Sequence, residues 1–229
     1  MKYFECALRF RIAPGDVYGI HQQLDKVVQE RSGSRLPYTF YSRKQSASDT
    51  QVVLRTAVAL GLPGEVMKEI MFVSGQKIRI CGSLATIRRE EAGGRKREIC
   101  PPAHELPDYI HYHLERAGVI CGRLRIVRST KFHIIKPGSV GGTSHKIIVP
   151  MSQYDAECVI EDVGALEQAY AFGIGRKRIF GFGYMTASKC FPEQAIKYSY
   201  YLNFKPTRKL TALTLLIHPL NAVNCCSPY

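Results

Sequence analysis

Apolar positions along the chain change period several times, and each change marks an element. Over residues 3–12 they alternate, with Phe4, Cys6, Leu8 and Phe10 on one side, as in a half-buried strand. Pro14, Gly15 and Asp16 break that pattern. Asp16 suits a helix N-cap, and from Val17 onward Ile20, Leu24, Val27 and Val28 recur at helical spacing until Arg31, Ser32 and Gly33 end the run. Strand-like stretches follow at 37–42 and 51–56. Residues 63–71, with Pro63 at the start, read as a short helix. Residues 77–87 read as a further strand. The order strand, helix, strand, strand, helix, strand is that of a ferredoxin-like unit, also the frame of the RNA-recognition module.

Residues 88–103 read as a loop, with Arg88, Arg89, Arg95, Lys96 and Arg97 around Gly93-Gly94 and then Pro101-Pro102. It suits a solvated charge run and an RNA clamp equally well. A helix is expected at 106–117, stopped by Gly118. Over 122–135 basic and apolar residues alternate, placing Arg123, Arg125 and Lys131 opposite Leu124, Ile126 and Phe132. A turn with three glycines at 137–144 returns the chain along 145–149 as a hairpin partner. A short strand at 157–161, a helix at 164–172 and a strand at 179–185 complete the pattern. The expected fold is α+β with tandem ferredoxin-like (RRM-like) βαββαβ domains at 1–103 and 104–189. The tail at 190–229 fits no repeat.

Charge narrows the function. Lys and Arg total 32 against 19 acidic residues, a net charge of +13 over 229 residues, which points to nucleic acid or an anionic membrane. No apolar run reaches the ~20 residues of a spanning helix, and the first residues look like a strand rather than a signal peptide, so no membrane partner is expected. The eight cysteines are scattered apart from Cys225-Cys226 and form no Cys-x-x-Cys, so zinc is not expected and buried thiols in a reducing cytoplasm are. Tryptophan is absent, while 13 Tyr and 10 Phe remain for stacking on bases. Neither a helix-turn-helix nor a zinc pattern of duplex-DNA readers appears.

Two constellations carry candidate chemistry. The run from Gly173 to Gly183 pairs two Gly-x-Gly elements, Gly173/Gly175 and Gly181/Gly183, around Arg176, Lys177 and Arg178. Bare backbone beside three cations suits a phosphate chain, although a glycine-rich turn between helix and strand would look similar. On the first helix Tyr18 and His21 share a face at a spacing of three, and Lys26 is rotated by about 140° from His21. Histidine can exchange a proton near neutrality, tyrosine can position a nucleotide, and lysine can offset anionic charge. That set suffices for metal-free RNA cleavage by the ribose 2′-OH, with either direction of proton transfer at His21 possible. The competing reading is packing: a Tyr and a His on an amphipathic helix are often partly buried core residues. His111 and His113, two residues apart, point away from each other as surface residues. His104, His133, His145 and His218 are isolated, so no metal or cofactor is assigned.

These segments resemble the CRISPR repeat-processing endoribonucleases of the RAMP superfamily, in the E subfamily that serves Cascade-type complexes. The glycine-rich Gly-Ile-Gly-Arg-Lys-Arg-Ile-Phe-Gly-Phe-Gly segment is similar to that family's signature, and Tyr18-Gly-Ile-His21-Gln-Gln-Leu24 to its Tyr-x-x-His-x-x-Leu helix start. Lys26 falls where some members place an assisting lysine. The resemblance spans nearly all of residues 1–189 and implies a precursor CRISPR RNA hairpin as substrate, cut without metal at the 3′ base of the stem to leave a 2′,3′-cyclic phosphate and a 5′-hydroxyl. It also implies a retained product, and other subunits of a CRISPR effector complex of type I-E or type IV as partners. Arg128, Lys136 and Lys146 join Arg123, Arg125 and Lys131 as the expected grip on the stem. A non-catalytic RNA-binding subunit on the same fold is the alternative. The tail from Cys190 departs from the family pattern.

Overall fold

A computed structural model of the protein describes residues 1–138 and 143–189. The tail assigned to 190–229 and the centre of the glycine turn lie outside the described residues. The first alternating stretch forms strand β1 (Lys2–Phe10), and the helical stretch forms α1 (Val17–Ser32). The Asp16 side chain accepts from the Gly19 amide at 2.8 Å, satisfying an N-terminal donor the helix itself cannot. Gly33, in the left-handed conformation, closes the other end onto the Gln29 carbonyl. Ile20, Leu24 and Val28 face the sheet, where they join Cys6, Phe40, Val52 and Leu54 in one core, and Val17 is buried at the helix start. That sheet joins β1 with β2 (Tyr38–Lys44), β3 (Thr50–Thr56) and β4 (Val66–Glu69) in the order β2-β3-β1-β4, all neighbours antiparallel.

The helix expected at 63–71 is β4 instead. Gly64 has a φ of 76°, which stops a helix from starting behind Pro63, and the Glu65 carboxylate accepts from the Leu60 and Gly61 amides. The following residues take the one edge of β1 that β3 leaves open, with Tyr3 opposite Lys68. An available row of backbone donors and acceptors outweighs the weak helical propensity of so short a segment.

The expected last strand of the first unit, β5 (Lys77–Ala85), belongs to the second sheet. There it lies with β8 (Val119–Lys136), β9 (His145–Ile160) and β10 (Met185–Lys189) in the order β10-β5-β9-β8. Numbered within each unit, both sheets read 4-1-3-2, the ferredoxin-like order. The first lacks its second helix, and the second carries both, α2 (Leu106–Glu115) and α3 (Val163–Phe172). The strands expected at 145–149 and 157–161 are one long strand, β9. The strand expected at 179–185 begins only at Met185, because Gly181 and Gly183 sit at φ 84° and 90° and residues Arg178–Phe180 form a 3₁₀ turn. The loop at 88–103 contains a hairpin of β6 (Arg88–Ala92) and β7 (Arg95–Ile99), turned by Gly93 and Gly94 at φ 60° and 71°. Its charges alternate in sign across the pair: Arg89 faces Glu98, Glu90 faces Arg97 and Glu91 faces Lys96.

A buried cation ties the two sheets together. Arg55 of β3 is 1% exposed and lies between the rings of Tyr170 and Tyr184, 3.9 and 4.3 Å from their centroids. It donates to the Tyr170 and Met185 carbonyls at 2.9 and 3.0 Å and pairs with Glu5 at 2.7 Å. Among the described residues, no helix is long and apolar enough to cross a membrane.

Candidate active site

The first turn of α1 sits against the 3₁₀ turn Arg178–Phe180 and against β8. Tyr18 packs on a small apolar cluster built from Ile134, Val149, Met151 and Phe182, in which Phe132, Ile147 and Phe180 share. The distal halves of the two long strands thus bring their hairpin under the helix start. His21 stands on the helix edge next to that cluster, its ring 5.4 Å from the ring of Phe180 and 6.3 Å from that of Tyr18, both edge-on. The helix start and the glycine-rich loop therefore meet at one imidazole.

The proton inventory around that ring is constrained. Tyr38, on β2, donates its hydroxyl to the Asp25 carboxylate at 2.6 Å. His21 Nδ1 lies 3.3 Å from the Tyr38 oxygen and 3.5 Å from Asp25 Oδ1. Burial, reinforced by the carboxylate, pushes the Tyr38 hydroxyl far above the usual tyrosine range, so its proton stays, and the shorter contact takes it. Both groups facing Nδ1 are then acceptors, which assigns the ring's proton to Nδ1 and leaves Nε2 with a lone pair. Burial lowers the imidazole's pKa below its ordinary value; Asp25 partly offsets this, and Arg35 adds to it. A neutral, Nδ1-protonated ring held from behind has the chemistry to accept a proton at Nε2. Its side chain is 14% exposed.

Lys26 sits elsewhere on α1, 67% exposed and 3.8 Å from Glu30. Because α1 is a continuous helix from Val17 to Ser32, Lys26 keeps the rotation away from His21 that its spacing gives.

The glycine-rich loop is closed at its neck by the backbone. Ile174 N–H donates to the Gly183 carbonyl at 3.0 Å, and Gly183 N–H to Ser83 at 2.7 Å. A Cβ on Gly183 would fall 2.0 Å from the Ile174 oxygen. Glycine is required there by a chain crossing within the protein, and a ligand is not needed to explain it. Gly181 presses on the Phe40 ring, and Gly173 meets Gly183 and Thr39. The tribasic core is likewise partnered. Arg176 and Lys177 reach Glu98 of β7 at 3.5 and 2.9 Å, and Arg178 donates to the Phe172 and Gly173 carbonyls at the end of α3. Lys177 itself holds a left-handed φ of 57°, alone in this among the described non-glycine residues.

No known family profile matches the chain, and no curated protein matches it significantly. Solved structures do match. The structure of the CRISPR endoribonuclease Cse3 bound to 19 nt RNA is 14% identical, with a TM-score of 0.62 over 82% of this chain and 98% of that one. Cas6e from Escherichia coli K-12 is 16% identical at a TM-score of 0.53, covering 83% of this chain and 100% of the other. A chain of a CRISPR RNA-guided surveillance complex is 15% identical at 0.57, over 82% and 100%. The chain has the Cse3/Cas6e fold.

On this Cas6e-type fold the remaining basic candidates divide into two groups. Arg123, Lys131, Lys136 and Lys146 are exposed on β8 and β9, as is Arg128. Arg125 is exposed too but pairs with Asp155 at 2.9 Å, a carboxylate it shares with Arg79. On the hairpin of β6 and β7, Arg88 is paired with Glu90 and Glu105, and Arg89 approaches Glu98 at 3.9 Å. Lys96 and Arg97 are exposed there, and Arg95 lies in β7. Sequence reasoning missed Asp25, Tyr38, Phe180 and Glu98. Only Asp25 had an available signal, its i,i+4 spacing from His21 on a helix already expected.

Proposed function

We propose that the protein is a CRISPR RNA-processing endoribonuclease: it binds a precursor repeat hairpin, cuts at the 3′ base of the stem without metal, and retains the mature guide among other subunits of an effector complex. The observation that carries this reading is the meeting of His21 with Phe180 of the glycine-rich loop, the ring oriented from behind by Asp25 and Tyr38. The fold it shares with proteins named as CRISPR endoribonucleases supports it.

In this mechanism His21 Nε2 takes the proton of the ribose 2′-OH as that oxygen attacks the adjacent phosphorus. The bond to the 5′-oxygen breaks, leaving a 2′,3′-cyclic phosphate, and the leaving oxygen takes a proton from water or from the imidazolium just formed. Tyr18 positions the scissile nucleotide. Lys26, on the exposed face of α1, assists electrostatically once RNA lies along the helix. Exposed lysines and arginines of β8 and β9 hold the stem by its phosphates, the shape-led mode suited to A-form RNA.

His21→Ala should slow single-turnover cleavage of a matched repeat hairpin by roughly 10² to 10⁴-fold with hairpin affinity kept. Cleavage should persist in excess EDTA. Wild-type rates in the variant, or a strict Mg²⁺ requirement, would remove the assignment. The second reading, an RNA-binding subunit without activity, draws on the low exposure of His21 and the apolar packing of Tyr18. It predicts hairpin binding by the wild-type protein with no product.

A further inference from the structure

Beside the glycine-rich loop, α2 and α3 frame an open cleft of about 670 Å³, within the size range of small-molecule sites. Five arginines line it and no carboxylate does: Arg88 and Arg89 from β6, Arg116 at the end of α2, and Arg176 and Arg178 from the loop. Part of that charge is answered from outside the cleft, on Arg88 by Glu90 and Glu105 and on Arg89 and Arg176 by Glu98. Arg116 has no carboxylate partner among the described residues, and the buried Nε of Arg176 has no hydrogen-bond partner there.

Aromatic surface lies beside this charge. Tyr112 is 52% exposed, with Arg116 stacked over its ring at 5.6 Å and His113 edge-on at 5.4 Å. Burial lowers the His113 pKa, and the neighbouring Arg116 and Arg176 lower it further, so its ring adds an uncharged face to a positive cleft. Cations over a flat, accessible ring suit a strand that alternates phosphates with bases. An acidic peptide would use the charge and leave the ring idle.

We infer that the cleft between α2 and α3 binds a single-stranded segment of RNA, its phosphates on Arg116 and Arg176 and a base on Tyr112. This deepens the reading given under Proposed function. The segment would be one that flanks the hairpin, because the loop that sends Arg178 into the cleft sends Phe180, two residues on, to the His21 ring.

The test compares the affinity of the full chain for a repeat hairpin carrying single-stranded flanks of about eight nucleotides with that for the bare hairpin, by fluorescence anisotropy at fixed salt. In Tyr112→Ala the ratio of the two affinities should fall by roughly 5- to 150-fold, the range for losing one stacked base. Tyr112→Phe, which keeps the ring, should preserve the ratio. Both are substitutions of an exposed side chain, and circular dichroism checks that the fold is intact. A ratio unchanged by Tyr112→Ala overturns the inference, as does polyglutamate displacing the flanked RNA more effectively than oligouridylate, which would mark an acidic protein as the occupant. Tyr112-dependent binding of oligouridylate without any cleavage of repeat RNA would keep the cleft and remove the nuclease reading instead.

Discussion

His21 illustrates how much of a histidine's proton chemistry is set by its neighbours. With Tyr38 donating to Asp25, Nδ1 must donate in turn, and the ring offers its lone pair on the far nitrogen. As a base, the ring gives a rate that is maximal above its pKa and falls as pH drops through it. Burial lowers that pKa and Asp25 raises it, so Asp25→Asn should move the acidic limb of the single-turnover pH profile to lower pH. The same change frees the Tyr38 proton to turn toward Nδ1, so the plateau should drop roughly tenfold or more, short of the loss expected from deleting the base. A limb moving to higher pH, or an undiminished plateau, would show that the pair behind the ring is only packing. Asp25 was within reach of sequence reasoning through helical spacing. Tyr38 was not, because only the packing of α1 over β2 brings residues 17 positions apart to one ring.

Elements with local punctuation were the most legible. The cap at Asp16 and the stop at Gly33 fix α1 in sequence, and the alternation that begins at Tyr3 fixes β1. The hairpin of β6 and β7 was masked by its charge, which reads as loop, although Gly93-Gly94 between two five-residue runs is a hairpin signal. The allocation of β5 to the second sheet could not be read locally, since its alternation serves either sheet equally. Arg55 depends on that allocation, standing on β3 and bonding to α3 and β10. Removing one partner of a buried ion pair costs about 3 to 5 kcal/mol, so Arg55→Met should lower the free energy of unfolding by that much, read from denaturant titration. Adding Glu5→Gln should cost less than the sum of the single changes, in a double-mutant cycle. Strictly additive losses would mean that Glu5 relies on Lys68 instead, its other partner at 2.6 Å.

Taken as a whole, the molecule is a strongly cationic body whose excess charge is unevenly available. The cations of the glycine-rich loop, singled out in sequence, are largely occupied by Glu98 and helix-end carbonyls, while those on the long strands face solvent. Each exposed lysine that meets a phosphate should contribute about one unit to the salt slope of hairpin binding. Lys131→Ala and Lys136→Ala should therefore each flatten that slope by about one, and Arg125→Ala by less, because Asp155 already holds it. Equal slopes for all three variants would place the stem on another face.

The neck between Ile174 and Gly183 has an effect beyond fixing one turn. It closes a lariat that carries Arg178 on one flank and Phe180 on the other. Gly183→Ala forces a Cβ into that crossing, at a backbone cost of about 1 to 3 kcal/mol in strain alone, and should impair strand capture and cleavage together. Conversely, if a guest stiffened the lariat from behind, the poise of the imidazole in front should change with it, and linkage would make that influence mutual.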